Sequence, residues 1–495
     1  MKKNILLHQR KAIIFCKIIS IFLFLIAFIN QVYSVSPMQI MDRALADINS
    51  KKPKGELFCW IAAFYIDNFV NGYLAYNDTA WLDTGIKYYD WALSKREKTH
   101  DDYLGWIGPY GGQEGGLIGE AFIGDAVIFN EILRFCEVVN NSPELKSKYG
   151  KKAEEYMADA RKQLIDKWDK RGCYYEDGGF AVYIKQTTWW DDKSKKWIER
   201  EKERGTENLN KHAKMATCFL KFYRITKEKM FFDRAEKIFG HYKQIMRWHK
   251  NEDRYIWNFW EPFGPFDMTS KPKGWVDVHT QRPGYQAAES AMMAEAYHTG
   301  CVFNETDMRR IVNTNLWMWN KSFDNPKFKS ADGETNAGTL WKALSDFDAT
   351  IRQLTEKTLK DSGDVVEYDY FKKVVCKEPP SYKRKYVTGN VNLPEINLYP
   401  NTDISMAVVI PATLSLKANE KIKLCCKVKA TGKLIVDLYT SDGKTLIKNL
   451  FKEDIKKAND FYTQKWDGTG TSKGNYRIRW TLNNSISDRP LKIVD

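Results

Sequence analysis

From Met38 to Lys357 apolar residues recur every three or four positions, a spacing that predicts helices rather than strands. ELFCWIAAFYIDNFVNGYLAY (Glu56–Tyr76) keeps the spacing until Asn77-Asp78 breaks it, and TAWLDTGIKYYDWALSKR (Thr79–Arg96) resumes it. Asn210–Met246 repeats the hairpin, broken at YRITKEK and restarted at Met230. Further helices are predicted over Leu117–Val139, Leu145–Trp168, Pro283–Thr299, Glu305–Asn320 and Thr335–Lys357. Helix pairs that recur without a strict sequence period predict hairpins stacked side by side. After Lys357 the period is lost: residues 359–405 read as a loop-like linker with paired prolines. From Met406 short apolar-alternating runs predict strands, with Ser441-Asp442-Gly443-Lys444 as a hairpin turn.

Between the helices lie long loops rich in Gly, Trp and Asp, at Asp101–Gly116, Lys170–Trp197 and Tyr255–His279. Long ordered loops are where binding and chemistry concentrate. An (α/α) toroid presents such loops around one mouth of a ring of helices, whereas an α-solenoid would use the same helices without needing them. The expected fold is therefore mainly α: residues 1–34 a signal peptide, 35–358 an (α/α) toroid, 359–405 a linker and 406–495 a small β-sandwich.

The N-terminus changes the picture most. Lys2, Lys3, Arg10, Lys11 and Lys17 precede and open an apolar run, Ile18–Ile29, that leads to Val32-Tyr33-Ser34. That is the pattern of a cleavable secretory signal. The run falls short of the roughly 20 residues a membrane span needs, so no stable membrane insertion is expected after cleavage. The mature chain would start near Val35, outside the cytoplasm. The formal charge falls from +14 to +9 once those five basic residues leave. A secreted, basic chain that is 14% aromatic, with 17 Trp and 26 Tyr, suits an anionic carbohydrate, though a solvated basic surface gives the same count. Secretion and the lack of a basic stripe disfavour nucleic acid. Of nine cysteines Cys16 leaves with the signal, and several of the rest sit on apolar helix faces as small hydrophobes. One or two disulfides are compatible with the compartment. Nothing has the spacing of a zinc site. No cofactor is expected, and a structural calcium stays compatible with the sequence.

Two constellations carry chemistry. The first joins ENLNKH (Glu207–His212) to HTQRPGYQ (His279–Gln286). In these residues the helical region resembles the toroid-fold polysaccharide lyases, including alginate and glucuronan lyases, which place an Asn/His pair at one helix start and a Tyr near Arg or His at another. Here Lys211 separates Asn210 from His212, a departure that leaves open which Asn acts. The resemblance implies β-elimination: the C5 proton of a uronic acid residue is removed and the 4-O-linked sugar expelled. Donors must stabilise the enolate-like dianion as it forms, and a base and an acid must move protons. Asn210, His212, Arg282 and His279 are candidate donors or bases. Tyr285 is the candidate acid, and also a base if nearby cations lower its pKa from about 10. Asn208, Tyr110, Glu114, Trp257, Trp260, Glu261 and Trp275 are candidate sugar contacts. Each has a structural alternative; Tyr285 could simply anchor a helix that starts at Pro283.

The second constellation is acidic: Glu114, Glu120, Asp125, Glu261 and Asp267. Two of these at roughly 6.5–9.5 Å would make an inverting glycosidase. A non-catalytic glycan-binding protein is the third reading. At the C-terminus WDGTGTSKGNYRIRW (Trp466–Trp480) resembles the Ig-like module of flagellar hook-capping proteins, which implies a spacer or tether without chemistry.

Overall fold

The computed structural model describes residues 35–112, 117–268, 283–396, 398–418 and 420–495. The expected signal peptide lies outside the described residues, as do Glu114, Trp275, His279 and Arg282. A helical domain is followed by a β domain. Among the described residues no helix is long and apolar enough to cross a membrane.

The helices begin and end where local chemistry dictates. In α1 (Pro37–Lys51) Ser36 Oγ accepts from the Gln39 N–H at 3.2 Å, and Gln39 Oε1 accepts from the Ser36 N–H at 2.9 Å. α2 (Gly55–Tyr76) stops where Asn77 turns left-handed and its N–H bonds the Tyr73 carbonyl. α3 (Ala80–Leu93) then folds back against it. A Cβ on Gly72 would lie 2.1 Å from the Trp81 ring, so that hairpin closes only over glycine. The remaining helices are α4 (Phe122–Asn140), α5 (Pro143–Ala160), α6 (Leu209–Thr226), α7 (Lys229–Ile245), α8 (Pro283–His298), α9 (Glu305–Met318), α10 (Ala349–Ser362) and α11 (Val365–Lys373).

Two expectations are corrected. The helix expected over Thr335–Lys357 starts only at α10, because Asp348 accepts from the Ile351 N–H and caps it there. Before it the chain makes a short turn at Lys342–Asp346 and a close backbone approach, where a Cβ on Gly338 would meet the Lys329 carbonyl at 2.0 Å. The expected linker is structured too. It contains α11, capped by Asp364, and a strap on which Arg384 donates to the Phe303 carbonyl at 3.0 Å and the Tyr386 N–H to the His298 carbonyl at 3.1 Å.

Helix contacts follow a circuit. α2 packs on α4, α4 on α6, α6 on α8, and α8 on the Lys342–Asp346 turn; that turn packs on α10, α10 on α11, and α11 returns to α2. α1, α3, α5 and α7 pack against the outside of these partners. α2, α4 and α6 run in one direction: Arg134 of α4 pairs with Asp67 of α2, while Lys221 and Arg224 of α6 reach Asn130 and Glu137 of α4 in the same order. Their N-terminal ends therefore share one side.

The β domain has two sheets. β1 (Ile404–Ile410), β3 (Ile422–Val428) and β6 (Phe461–Trp466) form one, in the order β1-β3-β6. The other runs β2 (Thr413–Ser415), β8 (Ser485–Val494), β7 (Gly474–Leu482), β4 (Gly432–Thr440) and β5 (Leu446–Ile455), joined between β4 and β5 by the expected hairpin turn. Leu424 and Cys426 of the first sheet share a core with Leu438, Ile478 and Trp480 of the second. Every residue of β1 is buried, since its outer face is covered as well. Met406, Val408, Ile410 and Cys425 pack there on Phe259, Trp260 and Met268 of the helical domain. A strand buried on both faces reads as a continuous apolar run, which is why MAVVI shows no alternation. Cys425 and Cys426 follow the two-residue period onto opposite faces, and all eight cysteines of the described residues are free.

Candidate functional site

The N-terminal ends of α2 and α6 meet the loop that carries Tyr110. At the α6 end Glu207 and Lys211 are one turn apart and both nearly buried. Tyr110 donates to Glu207 Oε1 at 2.5 Å, and Lys211 Nζ donates to the same phenol oxygen at 3.2 Å. Lys211 Nζ also stands 3.4 Å from Glu207 and 3.6 Å from Glu56, which opens α2. Glu56 is held in turn by the Gly111 N–H at 3.2 Å and Trp60 Nε1 at 3.3 Å. Lys185 and Lys211 lie over the Tyr110 ring, 5.0 and 4.6 Å from its centroid.

The electrostatics follow from this packing. Burial and then the Glu207 carboxylate push the Tyr110 phenol well above its ordinary range, so it rests protonated. Burial pushes the Glu207 carboxyl up, but Lys211 and Lys185 outweigh it and hold it low and charged. Lys211 is also pulled down by burial, yet Glu207 and Tyr110 keep it firmly protonated. Its ammonium has three donors, and among the described residues only the bond to Tyr110 uses one at hydrogen-bonding geometry. Lys211 thus keeps donors for an anionic group, at helix ends that carry partial positive charge.

The expected first constellation divides. Lys211, which interrupts the Asn/His pair, is the residue that meets the loop. His212, the other expected member, has a fully buried side chain. Burial pushes its pKa down to about 4, against the pull of Glu207, and nothing lets a polymer touch it. Asn210 is 5% exposed and its Oδ1 is unpartnered among the described residues. Asn208 sits at the N-cap of α6, and the next residue, Leu209, donates its N–H to the Phe259 carbonyl. Tyr285, half-buried in the first turn of α8, stacks on that same Phe259 with ring centroids 5.5 Å apart. Phe259 therefore links the starts of α6 and α8. The expected contributions of Arg282, His279, Glu114 and Trp275 fall outside the described residues.

Two aromatic contacts are also corrected. Trp257 is fully buried, donates to Glu289 at 2.5 Å and packs on Trp341, so it has no free face for a sugar. Trp260 donates to the Thr206 carbonyl at 2.8 Å and belongs to the seam between the two domains.

The acidic constellation is structural where it is described. Lys167 is fully buried between Glu120 at 2.6 Å and Asp125 at 2.7 Å, and Arg171 holds the other Glu120 oxygen at 2.5 Å. A π turn at Arg161–Asp166, inserted before Lys167, sets the register that turns this lysine inward. Burial raises the Asp125 pKa, and Lys167 opposes the rise. Asp267 accepts from the Thr206, Phe263 and Gly264 N–H groups and from the Thr206 hydroxyl, fixing two loops. Glu261 is 1% exposed and accepts from Asn258 at 2.8 Å beside the seam. Burial raises its pKa to about 7, while Arg489 and Arg247 oppose the rise.

Sequence reasoning missed Glu56, Lys185, Glu207 and Lys211 as site residues. A signal existed: Glu207 and Lys211 are spaced i, i+4, and Glu56 is a carboxylate in the first turn of a largely apolar helix. Among the described residues no group of three His, Cys, Asp or Glu is placed to hold a metal ion. Compared with known protein families and with curated proteins, the chain matches none.

Proposed function

We propose that this chain is a secreted polysaccharide lyase that cleaves a uronic-acid-containing anionic polysaccharide by β-elimination. In this reading the circuit of helices is an (α/α) toroid, and the β domain an Ig-like module docked against it. The observation that carries the reading is the Tyr110–Glu207–Lys211 array at the N-terminal ends of α2 and α6. β-Elimination needs a proton carrier facing a cation that can meet the substrate carboxylate. A protonated phenol bound to a carboxylate and flanked by two lysines supplies both.

The phenol oxygen takes the C5 proton as its own proton passes to Glu207. The leaving 4-oxygen then takes a proton from Tyr110, and Glu207 returns one to the phenol. The net change is transfer of the C5 proton to the departing sugar. Lys211 and the helix ends stabilise the dianion. Tyr285 stacks on Phe259 at the neighbouring helix start.

A hydrolase is the second reading, favoured by one observation: Glu56 and Glu207 both lie within 3.6 Å of the same ammonium, close enough to flank a bond together. One experiment separates the two. The mature chain is incubated with alginate, glucuronan, pectate and hyaluronan while ultraviolet absorbance of the unsaturated 4,5 bond and new reducing ends are followed. The expected result is absorbance on at least one polymer, lost by about 10²–10⁴-fold in Tyr110→Phe. Reducing ends without absorbance would replace elimination with hydrolysis by Glu56 and Glu207.

A further inference from the structure

One helical turn below the mouth cluster the circuit of helices lines an open cavity of about 850 Å³. That is within the roughly 300–1,000 Å³ of small-molecule sites. The α2 stripe Trp60, Phe64, Asp67, Asn68 and Asn71 lines one wall, and Lys214, one turn along α6 from Lys211, lines another. Phe64 is the odd residue here. It is 63% exposed although it sits in the middle of a packed helix. An aromatic ring kept in water inside a cavity marks a face meant for a ligand.

The polar lining sets the ligand's chemistry. Seven carboxylates face six lysines and arginines, and pairs such as Arg134 with Asp67 and Lys221 with Glu295 neutralise one another. A polyanion gains nothing from such a wall. Hydroxyl groups, which both donate and accept, can bond to either sign, and the apolar face of a pyranose ring covers a phenyl ring. We propose that this cavity is a subsite for the neutral-sugar end of the substrate, with Phe64 as its stacking platform. Resting on the lyase reading, the substrate is then a heteropolysaccharide in which neutral sugars adjoin the uronate at the mouth.

The test is calorimetric titration of the mature chain with cellotriose, xylotriose, maltotriose and mannotriose, with trigalacturonate as the charged comparison. The expected result is binding of at least one neutral trisaccharide in preference to trigalacturonate. That affinity should fall about tenfold in Phe64→Ala and be restored in Phe64→Tyr, since the substitution removes only a stacking face. Absence of neutral binding, or affinity unchanged in Phe64→Ala, would each overturn the proposal. Because binding is read without turnover, the two readings fail separately. Phe64-dependent binding with no cleavage of any polymer keeps the subsite and removes the lyase; cleavage without such binding does the reverse.

Discussion

Two lysines in the helical domain are each buried between two carboxylates, and they differ in how tightly they are held. Lys167 bonds Glu120, Asp125 and the Leu104 carbonyl at 2.6–2.9 Å, so all three of its donors are used. Lys211 stands 3.4 and 3.6 Å from its carboxylates and, among the described residues, has one hydrogen bond, to Tyr110. A buried ion pair repays its desolvation only when geometry and hydrogen bonding are complete. Lys167 meets that condition and holds the start of α4 to the turn that follows the π segment after α5. Lys211 does not, which is a cost in stability that an incoming carboxylate would relieve. Completeness of bonding, rather than burial, separates the two.

Replacing both lysines by methionine tests this most strongly. Lys167→Met leaves Glu120 and Asp125 without their central cation and is expected to cost about 3–5 kcal/mol in denaturant unfolding. Lys211→Met should cost much less stability, yet lower polymer cleavage by a factor comparable with Tyr110→Phe. Equal losses of stability would erase the distinction. Full activity in folded Lys211→Met would remove it from the site.

How much of this was legible in the sequence follows the same line. Helix spans were readable wherever an apolar stripe met a breaking residue, as at Asn77-Asp78. They failed at Thr335–Lys357, where a close backbone approach at Gly338 overrides the pattern. The β hairpins were readable from alternation, but Ser485–Val494 was not recognised as a strand. At the candidate site the helix start ENLNKH was found, with His212 emphasised rather than Lys211, the member that meets the Tyr110 loop. His212 is the more familiar base, but it follows Lys211 by one position, about 100° around the helix, and turns into the core. Which carboxylates are consumed could not be read either, because Lys167 reaches Glu120 and Asp125 across more than forty residues of chain.

Glu261 extends the comparison to a buried carboxylate whose bonded partner is a neutral amide, Asn258. Its pKa, raised to about 7 by burial despite Arg489 and Arg247, sets the sign of its effect. Between about pH 4.5 and 7 the unfolded chain has lost this proton while the folded chain keeps it. Stability from this group therefore falls as pH rises through that window, by about 3 kcal/mol in all. Glu261→Gln should flatten that slope and leave the protein more stable than wild type at pH 8, measured by unfolding at a series of pH values. A slope unchanged in the variant would show that other groups set it.

The smallest expected effect compares the two tryptophans that donate to these clusters. Trp168, 1% exposed, bonds Asp125 at 2.7 Å; Trp60, half-buried, bonds Glu56 at 3.3 Å. Phenylalanine at either place keeps most of the ring and removes the donor. At Trp168 the lost bond to a buried charge should cost about 1.5–3 kcal/mol. At Trp60 the bond is long and the ring partly in water, so the cost should stay below about 1 kcal/mol. Two unfolding curves measured in one buffer decide it. A Trp60→Phe loss as large as that of Trp168→Phe would mean that the Lys211 cluster is as rigid as the Lys167 cluster, and its loose geometry would no longer favour it as the proposed carboxylate site.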